Sequence, residues 1–126
     1  MGPHTASSGR SYFPCGTPDR DDIVGGRVDL DLSARRELRE ETGLDIADFA
    51  AKPGWSTVFD GGLIAHLKVL RHHADAETLR ARVRAYLARE RQPELADIRI
   101  VRGPADFDAS MPRFVTTFLA HRFALR

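Results

Sequence analysis

Apolar residues are sparse and aperiodic over the first 29 positions and recur at regular spacing after them. Gly, Pro, Asp and Ser dominate the opening stretch, where only "SYF" (11–13) has strand character and "PCGTPDRDD" reads as loop. A helix is predicted from about Leu30, with Asp29 or Asp31 as N-cap. It should end at Gly43, suited to the left-handed residue after a helix. "WSTVF" and "LIAHLKVL" flank "DGG" and predict a β-hairpin. A second helix follows Asp75 and runs to about Arg91, with Leu79, Val83, Tyr86 and Leu87 at helical spacing and Pro93 beyond its end. "DIRIV" (97–101) reads as a strand, and a short helical turn is expected near Ala105–Phe107. From about Arg113, Phe114, Val115, Phe118, Leu119 and Phe123 give a last helix one apolar side. Interleaved strands and helices predict an α/β layered sandwich.

Length and composition narrow the class. A chain of 126 residues, 42% hydrophobic and 29% charged, suits one globular domain. The net charge of +1 calls for neither a nucleic acid nor a membrane partner. Cys15 is the single cysteine, which fits a reducing, cytoplasmic setting. No apolar run approaches the ~20 residues that span a bilayer, and "MGPHTASSGR" lacks the apolar core of a secretory signal.

The candidate chemistry lies in "RRELREETGL" (35–44). At 100° per residue, Glu37, Glu40 and Glu41 share an arc of roughly 100°, and Ala34 and Leu38 mark the adjoining core side. Glu37 and Glu41 therefore border the buried stripe, four residues apart, where like charges repel. Arg36 can pair with Glu40 and still leaves the other two crowded. A divalent cation would relieve the repulsion, and hard oxygen donors suit Mg²⁺ or Mn²⁺. The plainer reading is a solvated helix face laced with Arg–Glu pairs.

The stretch from Arg36 to Leu44 resembles the second half of the Nudix box, R-E-U-x-E-E-x-G-U with U aliphatic, at all five fixed and both aliphatic positions. The full box has Gly fourteen residues before the Arg and Glu eight before it; Asp22 and Val28 stand there. "FPCG" (13–16) resembles the family's "PGG" loop, but Gly16 lies twenty residues before Arg36, so the loop is about six residues longer than usual. "GGRVD" (25–29) is a second candidate that lies too close, and Asp29 or Asp22 would stand in for the missing glutamate. The later hairpin, strand and C-terminal helix follow in an order that resembles a Nudix-like α/β/α sandwich, which implies a mixed sheet.

The resemblance implies a hydrolase that cleaves a diphosphate linkage in a nucleoside diphosphate joined to another group, using Mg²⁺ or Mn²⁺. Glu40 and Glu41 would be metal ligands, with the Gly16 carbonyl beside them. Glu37 would be a ligand or the general base, and Arg36 would orient it through a charge-assisted hydrogen bond. Glu94, or failing it Glu90, in "ERQPELADIRIV" would be the further loop acid and a rival base. The family also implies one or two strands ahead of "FPCG", where only Met1–Arg10 precede "SYFPCG". Residues upstream of Met1, or a second copy in a homodimer, would complete the sheet. A rival reading is a Nudix-homology module that binds a nucleotide-like ligand or a protein without cleaving it.

Other features read as structural. Arg80, Arg82, Arg84, Arg89 and Arg91 would form a solvated face; His72-His73 would lie at the surface; Cys15 would be a small loop residue; Trp55 and Phe59 would be core.

Overall fold

The computed structural model describes residues 10–16, 18, 20–93 and 95–125. Three helices and three small antiparallel ladders make a mixed α/β arrangement. The strands are β1 (Ile23–Val24), β2 (Arg27–Val28), β3 (Ala50–Ala51), β4 (Ser56–Asp60), β5 (Leu63–Leu67) and β6 (Leu70–Arg71). The helices are α1 (Leu30–Thr42), α2 (Ala76–Arg89) and α3 (Arg113–Ala124). The ladders pair β1 with β2, β3 with β6 and β4 with β5, each two-stranded and antiparallel among the described residues, where the resemblance implies one mixed sheet.

Local chemistry sets the helix ends. The Asp29 carboxylate accepts from Leu32 N at 3.0 Å, and the Asp75 carboxylate from Thr78 N at 2.8 Å, each satisfying a donor that has no partner within its helix. Gly43 closes α1 at φ 74°, its N–H donating to the Arg39 carbonyl at 2.9 Å. A Cβ on Gly43 would run into the Tyr86 ring, whose hydroxyl donates to the Glu40 carbonyl at 2.8 Å. Tyr86 thus ties α2 to the last turn of α1. Beneath it Val83, Leu87 and Leu95 form the core cluster, with Leu44 and Ile98 packed against them.

Gly43→Ala therefore meets both a left-handed backbone and a ring, and should cost about 2–4 kcal/mol of stability. Gly54→Ala is the control: φ is 77° there, but the space is open. Urea melts that rank the two variants equally would rule out the Tyr86 contact as the main cause.

The β4–β5 hairpin runs in register from Ser56↔Leu67 to Asp60↔Leu63, so Gly61 and Gly62 form its turn and Asp60 belongs to the strand. β4 packs against α3, whose Val115 and Phe118 are buried. Phe59 and its cross-strand partner Ile64 face outward; at 75% exposure, Phe59 is not the core residue expected.

Three segments depart from the sequence-based expectation. Residues 97–101 form no ladder among the described residues, and their charged side chains bond locally. The Asp97 carboxylate accepts from its own Ile98 N–H at 2.7 Å and from Arg84, while Arg99 donates to Asp108 and to the Asp106 carbonyl. Residues 11–13 are irregular; Ser11 N donates to the Ser110 carbonyl at 2.8 Å, and the Phe13 ring meets Phe118 edge-to-face at 5.7 Å. The stretch read as one strand from Leu63 splits, and Leu70–Arg71 crosses to pair with Ala50–Ala51. No described helix is long and apolar enough to cross a membrane. Met1–Gly9 lie outside the described residues.

Candidate active site on the first helix

The residues before α1 return over its carboxylate side. With Phe13 held on α3, the following backbone crosses α1, and Cys15 N donates to Glu41 Oε2 at 2.8 Å. Gly16 lies directly on the Glu37 carboxylate; a Cβ there would overlap both of its oxygens. With any side chain at position 16 the Glu37 carboxylate would have to move aside. Glu41 is 1% exposed, so it lies inside the buried stripe with Ser33, Leu38 and Thr42 and not at its border. A carboxylate this deep demands polar partners, and the Cys15 N–H is one of them.

Arg36 is turned toward Asp22. Its two terminal nitrogens form a fork on the Asp22 carboxylate, the Nη2–Oδ2 contact being 2.9 Å, and Asp22 is fully buried. Arg36 Nη2 also stands 3.5 Å from Glu37 Oε1, at the limit of a hydrogen bond. The guanidinium thus bridges a buried carboxylate and a candidate catalytic one, with the planar bidentate geometry that arginine favours. The Arg36–Glu40 pair considered from helical spacing does not form. Glu40 is exposed, and its carbonyl accepts from Tyr86.

Glu37, Glu41, Gly16 and Arg36 are therefore brought together, and Glu40 stands outside them. Among the described residues no three His, Cys, Asp or Glu side chains are gathered closely enough to hold a metal ion. Glu90 is exposed at the end of α2, and Glu94 lies outside the described residues. Two concavities lie elsewhere. One, of about 620 Å³, touches Asp31, Arg35 and Arg39 on the opposite side of α1; another, of about 400 Å³, lies between Val24, Val28 and Trp55.

The Cys15 thiol is pushed up to about 11, chiefly by burial and then by the negative charges of Glu41 and Glu37. It remains protonated at neutral pH. Iodoacetamide should alkylate it more than ~10-fold slower at pH 8 than a free thiol, with a rate still climbing at pH 10. A rate that levels off before pH 9.5 would remove the Glu41–Cys15 arrangement.

Two of the four arginines of α2 are paired, Arg80 with Glu77 at 2.7 Å and Arg84 with Asp97 at 2.9 Å. His72 and His73 stack at 4.4 Å, with His72 also against Phe49. Trp55 is half-buried, with Lys68 Nζ 5.4 Å from its ring centre. Sequence reasoning missed the β1–β2 hairpin, although "IVGGRV", two β-formers on each side of Gly-Gly, carries its signal. No family model, curated protein or solved structure matches the chain.

Proposed function

We propose that this protein is a divalent-metal-dependent hydrolase of the Nudix type, cleaving a diphosphate linkage in a nucleoside diphosphate joined to another group. The observation that carries this reading is the seating of the Cys15–Gly16 backbone on Glu37 and Glu41. Those are the two segments that resemble the family's glycine loop and box helix, and they are distant in sequence. The mixed α/β arrangement of helices and small antiparallel ladders leaves room for a Nudix-like sandwich.

The donor set suits a hard cation. Two carboxylates lie beside the Cys15–Gly16 backbone, and that of Glu37 fills the space a side chain on Gly16 would take. Glu37, Glu41 and the Gly16 carbonyl would hold Mg²⁺ or Mn²⁺, with Glu40 at the solvent edge. Bound there, the ion supplies charge neutralisation for the diphosphate and acidifies a coordinated water. The protein's own part is positioning. Arg36, fixed on Asp22, keeps a positive charge beside the Glu37 carboxylate. An ionised Glu37 can accept a proton from the attacking water.

The test is a hydrolysis screen with Mg²⁺ and Mn²⁺ over nucleoside diphosphate sugars, ADP-ribose, dinucleotide polyphosphates, coenzyme A and nucleoside triphosphates. Turnover that stops on chelation supports the reading. Turnover that survives chelator sinks it. The burial of Glu41 under a backbone donor favours a second reading, a module that binds a nucleotide-like ligand without cleaving it. Saturable binding without turnover of any of these compounds would select that one.

A further inference from the structure

Residues 23–28 form the β1–β2 hairpin, which stands apart from the site built around it. Its strands pair Ile23↔Val28 and Val24↔Arg27 around a Gly25-Gly26 turn with φ of 59° and 79°. The hairpin is closed at its base, where Asp29 N donates to the Asp22 carbonyl at 2.6 Å. Its apolar side chains are not used to fill the core: Ile23, Val24 and Val28 are each more than half exposed. The contacts described above that assemble the site come from outside it. Cys15 and Gly16 meet α1 ahead of the hairpin, Asp22 grips Arg36 from its first flank, and Asp29 caps α1 from its second.

Counted without those six residues, Gly16 stands fourteen places before Arg36 and Asp22 eight places before it. These are the spacings that the intact box requires of its glycine and its acid. The count and the contacts agree independently: Gly16 touches Glu37, and Asp22, the acid at the second spacing, is buried against Arg36. Asp29, the other stand-in considered, spends its carboxylate on the helix cap.

We propose that residues 23–28 are an insertion that interrupts an otherwise complete site segment, and that Asp22 is the positioning residue on which Arg36, and through it Glu37, is set. The inference rests on the proposed Nudix-type reading, whose box supplies the two spacings, and its metal-related part rests also on the proposed hydrolase activity. Cross-strand partners at a hairpin base lie about 5.5 Å apart between Cα atoms, and bonded neighbours 3.8 Å, so joining Asp22 to Asp29 asks for a shift of roughly 2 Å.

Two shortened chains test it, one with Asp22 joined directly to Asp29 and one with Gly-Gly in place of residues 23–28. They are set beside Asp22→Asn and Asp29→Asn in the full chain. Thermal melting, Mn²⁺ binding by electron paramagnetic resonance, and steady-state kinetics below the melting transition are measured on each. At least one shortened chain should melt cooperatively and bind Mn²⁺ as the full chain does. Asp22→Asn should weaken Mn²⁺ binding by at least ~10-fold and lower kcat with KM unchanged, as expected when the partner that orients a ligand is lost. Asp29→Asn, which keeps a competent helix cap, should leave both unchanged.

Failure of both shortened chains to fold overturns the insertion, and so does a shortened chain that folds but no longer binds Mn²⁺ where the full chain does. Unchanged Mn²⁺ binding and kcat in Asp22→Asn overturn the role of Asp22. A full chain that neither binds Mn²⁺ nor hydrolyses any substrate sinks the hydrolase reading and, with it, the role of Asp22 toward Glu37. Melting of the shortened chains then still decides the insertion.

Discussion

Glu41→Gln should lower kcat for the hydrolysed diphosphate by at least ~100-fold, the size typical of losing one electrostatic element of an active site. The substitution isolates charge from shape. Glutamine has nearly the same volume, and its amide oxygen can still accept from Cys15 N. Packing against Leu38 and Thr42 should survive, and the melting temperature should hold or rise, because a 1% exposed position no longer carries a carboxylate. Steady-state kinetics with saturating Mg²⁺, run beside a thermal melt, check both halves. Unchanged turnover in a well-folded Glu41→Gln protein would confine Glu41 to holding the 13–16 segment in place, and would move the protein toward the binding-module reading. A fall in turnover matched by a lower melting temperature would point to misfolding instead.

The elements that could be read from sequence are those whose ends are fixed within a few residues. α1 has its capping carboxylate at Asp29 and its left-handed glycine at Gly43, and α2 has Asp75; in each case the deciding hydrogen bond spans at most four residues. The β4–β5 hairpin is equally local, since Gly61-Gly62 sets the register. What was hidden depends on contacts far along the chain. The β3–β6 pairing joins Ala50–Ala51 to Leu70–Arg71 across an intervening hairpin, and dipeptide strands carry no alternation to read. Residues 97–101 alternate as a strand should, yet Asp97 bonds its own neighbour and Arg84, and no propensity anticipates that choice.

The site shows the same division. The three glutamates were visible because helical spacing is arithmetic. That Glu41 goes under and Glu40 stays out depends on where the 13–16 segment returns, and that segment is held by Phe118, more than a hundred residues later. Arg36 offered two partners within one turn, Glu37 and Glu40. It took a third, Asp22, fourteen residues back, because a buried carboxylate gains more from a bidentate guanidinium than an exposed one does.

Arg36→Ala should be among the most destabilising single substitutions away from the apolar core. Asp22 is fully buried, and the Arg36 side chain is 25% exposed, so the pair is well shielded on one side and partly wet on the other. Removing one partner of a buried pair costs about 3–5 kcal/mol, because a charge stays in the interior without its counter-ion; the partial exposure of Arg36 places the expectation at the lower end. For a chain of this length that corresponds to a melting temperature lower by about 10–15 °C. The double variant Asp22→Leu/Arg36→Met separates two explanations. If the loss comes from the stranded Asp22 carboxylate, removing both charges should recover most of the stability, since apolar groups of similar size can replace such a pair at little cost. If it comes from the lost stem of Arg36 against its neighbours, Arg36→Met alone should be nearly neutral and the double variant no better. Recovery in the double variant but not in Arg36→Met would establish the ion pair as what clamps the chain ahead of the hairpin to α1, and the recovered protein, folded but without the guanidinium beside Glu37, should still show the loss of turnover that Arg36 is proposed to prevent.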